Sequence, residues 1–179
     1  MIPYSRQNIN QKDILEVNKV LRSNFLTQGN NVMRFEKIIS KYTKAKYSVA
    51  VNSASSALHI ACLALGVKKN DIVWTVPNTF VASANCAIHC GATVDFVDID
   101  PDDWNISISS LQKKLKIAKR RNKLPKLIIP VHFAGLPSNQ EKIWTLSKKY
   151  KFKILEDASH SIGAKCKKQR SGSCKWSDI

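Results

Sequence analysis

The sequence predicts an α/β protein of three layers, a mostly parallel sheet held between two layers of helices. Two observations predict it. From residue 48 onward, short apolar runs alternate with stretches of helical periodicity, the pattern of strand–helix–strand units and parallel pairing. Several of those runs are apolar throughout, as strands are when helices cover both faces of the sheet. Right-handed crossovers then bring the C-terminal ends of the strands to one rim. Open sheets of this kind hold ligands at that rim.

The elements follow in order. Asn10 suits the N-cap of a helix with Ile14, Val17, Val20 and Leu21 on one face. A polar loop, Asn24 to Asn31, contains Gly29. A second amphipathic helix uses Val32, Phe35, Ile38, Ile39 and Tyr42. Strands are expected at Ser48–Val51, Ile72–Val76, Thr93–Val97, Lys126–Val131 and Lys153–Glu156. Helices are expected at Ser55–Leu65, Val81–His89, Ser109–Arg121 and Asn139–Tyr150. Residues 1–45 read as a helical arm and 46–179 as the α/β unit.

Composition narrows the function classes. The chain has 179 residues, 44% hydrophobic and 23% charged, which is ordinary globular composition rather than a disordered one. No apolar run is long enough to span a bilayer, and Met1 to Arg6 lacks the apolar stretch of a signal peptide, so a cytoplasmic location is expected. The formal net charge of +16 raises nucleic-acid binding as a possibility. The basic residues, however, spread over Lys12–Lys46, Lys113–Lys126, Lys142–Lys153 and Lys165–Lys175, mostly on polar helix faces. A solvated basic surface is the expectation, and it would also suit a pyrophosphate-bearing substrate. The five cysteines are Cys62, Cys86, Cys90, Cys166 and Cys174. An odd number without a Cys-x-x-Cys pair indicates neither a disulfide framework nor a zinc ribbon. Cys86 and Cys90 lie one helical turn apart with His89 between them. With no partner pair in the sequence, helix packing is expected there rather than a metal.

Four clusters fall on the rim. Asn52-Ser53-Ala54-Ser55-Ser56 opens a helix with small residues and hydroxyls, and such an N-terminus with free amides can hold a phosphate. Taken alone it is weak, because serine-rich helix starts are more often ordinary caps. Pro77-Asn78-Thr79-Phe80-Val81-Ala82-Ser83 places an aromatic at a strand-to-helix junction, either to stack on a flat ligand or to fill the core. Asp95 to Asp103 carries five carboxylates, but their spacing does not match an EF-hand loop, and a solvated turn is expected. Lys153-Ile154-Leu155-Glu156-Asp157 ends an apolar strand in acid. Asp157 can lie under a pyridinium nitrogen or be an ion-paired core residue, with His160 three residues on. Glu156 points to the opposite face and reads as structural. His132 also ends a strand on the rim, either as a cofactor or substrate neighbour or, the favoured reading, as a satisfied structural histidine. No GxSxG elbow supports Ser53 or Ser55 as a nucleophile.

In order and spacing, these segments resemble the sugar aminotransferases of the DegT/DnrJ/EryC1/StrS family. The resemblance rests on Leu26-Thr27-Gln28-Gly29, Asn52 to Leu65, Asn78 to Ala84, Gly91 to Pro101, Pro130 to Pro137 and Glu156 to Ala164. It implies the large domain of a fold-type I, aspartate-aminotransferase-like enzyme that uses pyridoxal 5'-phosphate. By resemblance, Ala54, Ser55 and Ser56 hold the phosphate, Phe80 stacks on the pyridine ring, Asp157 pairs with the ring nitrogen, and His160 sits near the ring's phenolic oxygen. Ala54 stands where many relatives have glycine. Tyr4 and the loop Asn24, Phe25, Leu26 and Thr27 line the substrate side. The implied substrates are a UDP-linked 4-keto-6-deoxy amino sugar and L-glutamate, and the implied assembly is a homodimer.

The resemblance also implies parts that the sequence does not contain. The lysine that forms the Schiff base with the cofactor is expected beyond Ile179, and Lys165, Lys167, Lys168 and Lys175 do not follow the right strand. The smaller C-terminal domain is absent, and so is the strand that would pair with Ser48–Val51. A chain that is inactive and poorly stable by itself is therefore expected. Three other readings stay open: a lysine-less relative acting as a sugar 3-dehydratase, a non-catalytic chain that pairs with a full-length partner, and a charge-driven nucleic-acid binder.

Overall fold

The computed structural model describes residues 2–3, 6–27, 29–173 and 175–179. Its helices are α1 (Gln11–Leu21), α2 (Asn30–Thr43), α3 (Ala54–Ala64), α4 (Ala82–His89), α5 (Ile108–Arg120) and α6 (Gln140–Tyr150). Strands β1 (Ile72–Thr75), β2 (Thr93–Phe96), β3 (Leu127–Ile128) and β4 (Lys153–Ile154) pair in parallel, in the order β2-β1-β3-β4. A short antiparallel hairpin, β5 (Lys165–Cys166) with β6 (Gln169–Arg170), follows. No helix among the described residues is long and apolar enough to cross a membrane.

Side-chain alternation along the strands builds the three layers. Trp74, Ile128 and Ile154 face Leu111 and Leu115 of α5 and Ile143 and Leu146 of α6. Their sequence neighbours Val73, Leu127 and Leu155 face Leu58 and Cys62 of α3 and Cys86 and Ala87 of α4. Both faces of the sheet are therefore dry, which explains the uniformly apolar runs. Each fully buried leucine in these layers contributes about 2 kcal/mol.

The paired strands are shorter than the apolar runs, but the ladder continues past them. Ile129 N–H donates to the Trp74 carbonyl at 2.8 Å, and Leu155 N–H to that of Ile128 at 3.1 Å. Asp157 N–H then reaches the Pro130 carbonyl at 3.0 Å, and His132 N–H reaches that of Asp157 at 3.1 Å. These bonds carry Asp157 and His132 to the rim.

Ser48–Val51 is not a strand, contrary to the expectation from sequence. Tyr47 and Val49 are 77% exposed, and the segment is tied down by Ala50 N–H donating to Glu36 Oε1 at 2.8 Å. The physical reason is the lack of a neighbour. Beside β4 run residues 178–179: Asp178 N–H donates to the Ile154 carbonyl, and Glu156 N–H to that of Ile179, each at 2.9 Å. Among the described residues nothing lies between them and 48–51 to complete a ladder. A groove of about 580 Å³ remains there, lined by Tyr47, Val49, Val51, Ile60 and Ile179.

The Asn10 cap forms as expected. Its Oδ1 accepts from Lys12 N–H at 2.8 Å, and Asp13 Oδ2 accepts the Asn10 amide at 2.8 Å, closing a capping box. The apolar face of α1 buries none of its residues.

Candidate active site

The rim carries a cavity of about 540 Å³ above the sheet's C-terminal ends. Ala54, Ser55, Phe80, Asp157 and His160 all line it. Five of the six residues that the resemblance assigns to the cofactor thus share one hollow.

Its floor at one end is the start of α3. Ser53 is extended, and its Oγ accepts Ser56 N–H at 3.2 Å. The Ser53 carbonyl accepts Ala57 N–H at 3.0 Å. The amides of Ala54 and Ser55 take no acceptor among the described residues. Two open N–H groups at a helix N-terminus make a place for an anion. Ser56 does not line the cavity, because its hydroxyl turns to Ser53 Oγ at 3.0 Å.

Asp157 is 7% exposed. Its Oδ2 accepts Ser83 Oγ–H at 2.6 Å. Its Oδ1 accepts Ser159 Oγ–H at 2.7 Å and Ser159 N–H at 3.3 Å. Ser83 also meets Thr79 Oγ1 at 2.8 Å. Ser83 and Ser159 lie inside the rim segments singled out from the sequence but carry no role there. The short Asp-x-Ser turn is a local signal for Ser159. Nothing local points to Ser83, which lies 74 residues from its partner.

Phe80 is 75% exposed at the cavity wall, so it is not a core residue. His160 lies in the loop beyond Asp157. Gly135 holds that loop close: at φ +90°, a Cβ there would sit 3.0 Å from the His160 carbonyl oxygen.

His132 has no solvent exposure and lines the cavity. Ser138 N–H donates to its Nδ1 at 3.3 Å, so Nδ1 is the acceptor and Nε2 carries the hydrogen. Nε2 lies 3.4 Å from Glu156 Oε2 and 3.2 Å from the Gln140 side-chain amide. The ring is thus hydrogen-bonded at both nitrogens within the protein while it forms part of the cavity lining.

The loop at Asn24, Phe25 and Leu26 lines a separate hollow of about 370 Å³ with Val20 and Asn30. Thr27 lines neither hollow. Tyr4 lies outside the described residues.

The acidic run is satisfied locally. Asp95 pairs with Lys114 at 2.7 Å, and Asp98, Asp100 and Asp103 each accept a nearby backbone amide. Cys86 is turned inward, its thiol directed to the Ser83 carbonyl at 3.5 Å. A hydrogen bond with Cys86, together with burial, holds the Cys62 thiol far above the ordinary thiol range. The His89 ring packs against His59 at 5.5 Å between centroids. Among the described residues no three such groups converge to hold a metal.

A doubly covered parallel sheet thus carries an open helix N-terminus and a buried carboxylate on one rim. The chain belongs to the DegT/DnrJ/EryC1/StrS aminotransferase family, whose profile matches residues 7–178. It is 41% identical over 172 residues to a Campylobacter jejuni UDP-4-amino-4,6-dideoxy-N-acetyl-beta-L-altrosamine transaminase, covering 96% of this chain and 44% of that one. Among solved structures, Helicobacter pylori PseC, an aminotransferase involved in the biosynthesis of pseudoaminic acid, superposes with a TM-score of 0.84 at 30% identity, covering 94% of this chain and 44% of PseC. Streptococcus pneumoniae Spr1654 in its PLP-form gives a TM-score of 0.86 at 30% identity, covering 96% of this chain and 46% of that one. The chain therefore spans less than half the length of these relatives.

Proposed function

We propose that this chain is the cofactor-binding part of a pyridoxal-phosphate-dependent transaminase. Its substrate would be a UDP-linked 4-keto-6-deoxy amino sugar on a route to pseudaminic acid, and its amino donor L-glutamate. The observation that carries the reading is the convergence of the Ala54 and Ser55 amides, Phe80 and Asp157 on one cavity.

The residues fit the group. Two amides without acceptors suit a phosphate, an exposed aromatic face suits a flat ring, and a buried carboxylate suits a protonated ring nitrogen. When bound, the pyridine ring supplies an electron sink for the carbanion left when a proton departs from the amino donor. Asp157 would hold the proton on the ring nitrogen. Phe80 would cover one ring face and exclude water from it. Ala54 and Ser55 would fix the phosphate end, with Ser56 supporting the cap, and His160 would contact the ring's oxygen substituent. Tyr4 and Asn24 to Thr27 would serve the sugar side. Because that loop lies away from its own chain's cavity, we assign it to the cavity of the second copy in a homodimer.

The test is a titration of the chain with pyridoxal phosphate, followed by backbone NMR. Saturable shifts at the Ala54 and Ser55 amides, lost in Asp157→Ala, are expected. No saturable binding, or binding indifferent to Asp157, overturns the cofactor half. Amino transfer from labelled glutamate to a UDP-4-keto sugar in cells expressing the gene tests the substrate half. A labelled UDP-amino sugar is expected, and its absence contradicts that half.

A further inference from the structure

We infer that Ser83 is a positioning residue that leaves Asp157 a single open acceptor site, on Oδ2, matched to one cationic N–H donor. The inference rests on the cofactor reading above.

A carboxylate has about four lone-pair positions and no hydrogen to give. Ser159 fills two of those on Oδ1, through its hydroxyl at 2.7 Å and its amide at 3.3 Å. Ser83 fills one on Oδ2 at 2.6 Å. One position is left, and it lies on Oδ2. Asp157 lines the cavity, so a ligand there can reach it.

The same count sets the direction of the chain of hydroxyls. Ser83 has one hydrogen and gives it to Asp157. The 2.8 Å contact to Thr79 Oγ1 must then run the other way, with Thr79 donating to Ser83. Thr79 lines the cavity, whereas Ser83 is fully buried. The relay Thr79 to Ser83 to Asp157 is therefore polarised toward the carboxylate, and each donated bond strengthens the next. Held at both oxygens, the carboxylate cannot turn about its last torsion. It holds the open Oδ2 position in one fixed direction. A ring nitrogen bearing a proton satisfies that position; a ring C–H leaves that one buried acceptor position unpaired.

The experiment compares two probes on the 179-residue chain: pyridoxal phosphate, and its analogue with C–H in place of the ring nitrogen. Equilibrium binding of each is measured by fluorescence. Wild type should prefer pyridoxal phosphate by about tenfold or more, the scale of a hydrogen bond to a charged group. Ser83→Ala should cut that preference by about threefold to tenfold, through weaker pyridoxal phosphate binding with the analogue unchanged. Ser83→Thr should keep it, and Thr79→Val should lower it less than Ser83→Ala does. Should Ser83→Ala fail to fold, Ser83→Cys, of like volume but a weak donor, and Thr79→Val carry the test. Equal weakening of both probes would mean that Ser83 only packs, and an unchanged preference would mean that it does not position Asp157; either overturns the inference alone. If wild type binds neither probe, the cofactor reading falls and the inference falls with it.

Discussion

Replacing Phe80 by alanine separates binding from stability. A core phenylalanine cut to alanine costs about 3–5 kcal/mol. Phe80 is 75% exposed, so only a quarter of its surface is buried by the fold. Full burial of such a side chain is worth about 1.5–3 kcal/mol, so the loss of stability should be about 0.5 kcal/mol. Ring stacking adds about 0.5–1.5 kcal/mol, and the area that the ring covers on a flat ligand adds to it. A total of about 1–2 kcal/mol corresponds to a Kd for pyridoxal phosphate weaker by about 5- to 30-fold. Urea unfolding gives the first quantity and equilibrium titration the second. A loss of several kcal/mol in stability with an unchanged Kd would refute the reasoning, because it would make Phe80 a core residue.

Three further substitutions probe the frame of the site. His132→Ala should cost about 3 kcal/mol, read by urea midpoint, because it leaves buried Glu156 and the Ser138 amide without their partner. Gly135→Ala should cost about 1–2 kcal/mol and shift the His160 resonances, since its φ of +90° disfavours a side chain and its Cβ would press on the His160 carbonyl. Asp71→Asn should cost about 1 kcal/mol or less at neutral pH, since the pair with Lys126 at 2.9 Å is partly exposed. Burial pushes the Asp71 carboxyl up, but the Lys126 ammonium and the Lys68 amide outweigh it and hold the group below its ordinary range. A lowered folded value means that the stability it confers is present above the unfolded carboxylate's pKa and fades as pH falls through the folded one. The melting curves of wild type and Asp71→Asn should therefore converge in acid.

The layers were legible because Val73 and Trp74, or Leu127 and Ile128, are apolar on both sides of one strand, a pattern only a doubly covered sheet requires. Ser48–Val51 has the same local composition and failed as a strand. Strand identity depends on a neighbour, and local sequence does not contain one. On the rim, Ala54, Ser55, Phe80, Asp157 and His160 were found through order and spacing, and they do meet in one cavity. Ser56, assigned to the phosphate by resemblance, instead has its amide and hydroxyl on Ser53 Oγ. Asn24 to Thr27 were assigned to the substrate side, yet their own chain holds that loop at a different hollow. Ser83 carries no local signal because its significance comes from a contact between helix α4 and the segment after β4, and no spacing rule marks it.

The most direct measurement is a crystal structure of the chain with pyridoxal phosphate bound. The phosphate should lie on the Ala54 and Ser55 amides, Phe80 against a ring face, and the ring nitrogen within hydrogen-bond distance of Asp157 Oδ2. A ring seated elsewhere, such as the groove between Tyr47 and Ile179, or one whose nitrogen points away from Asp157, would contradict this placement.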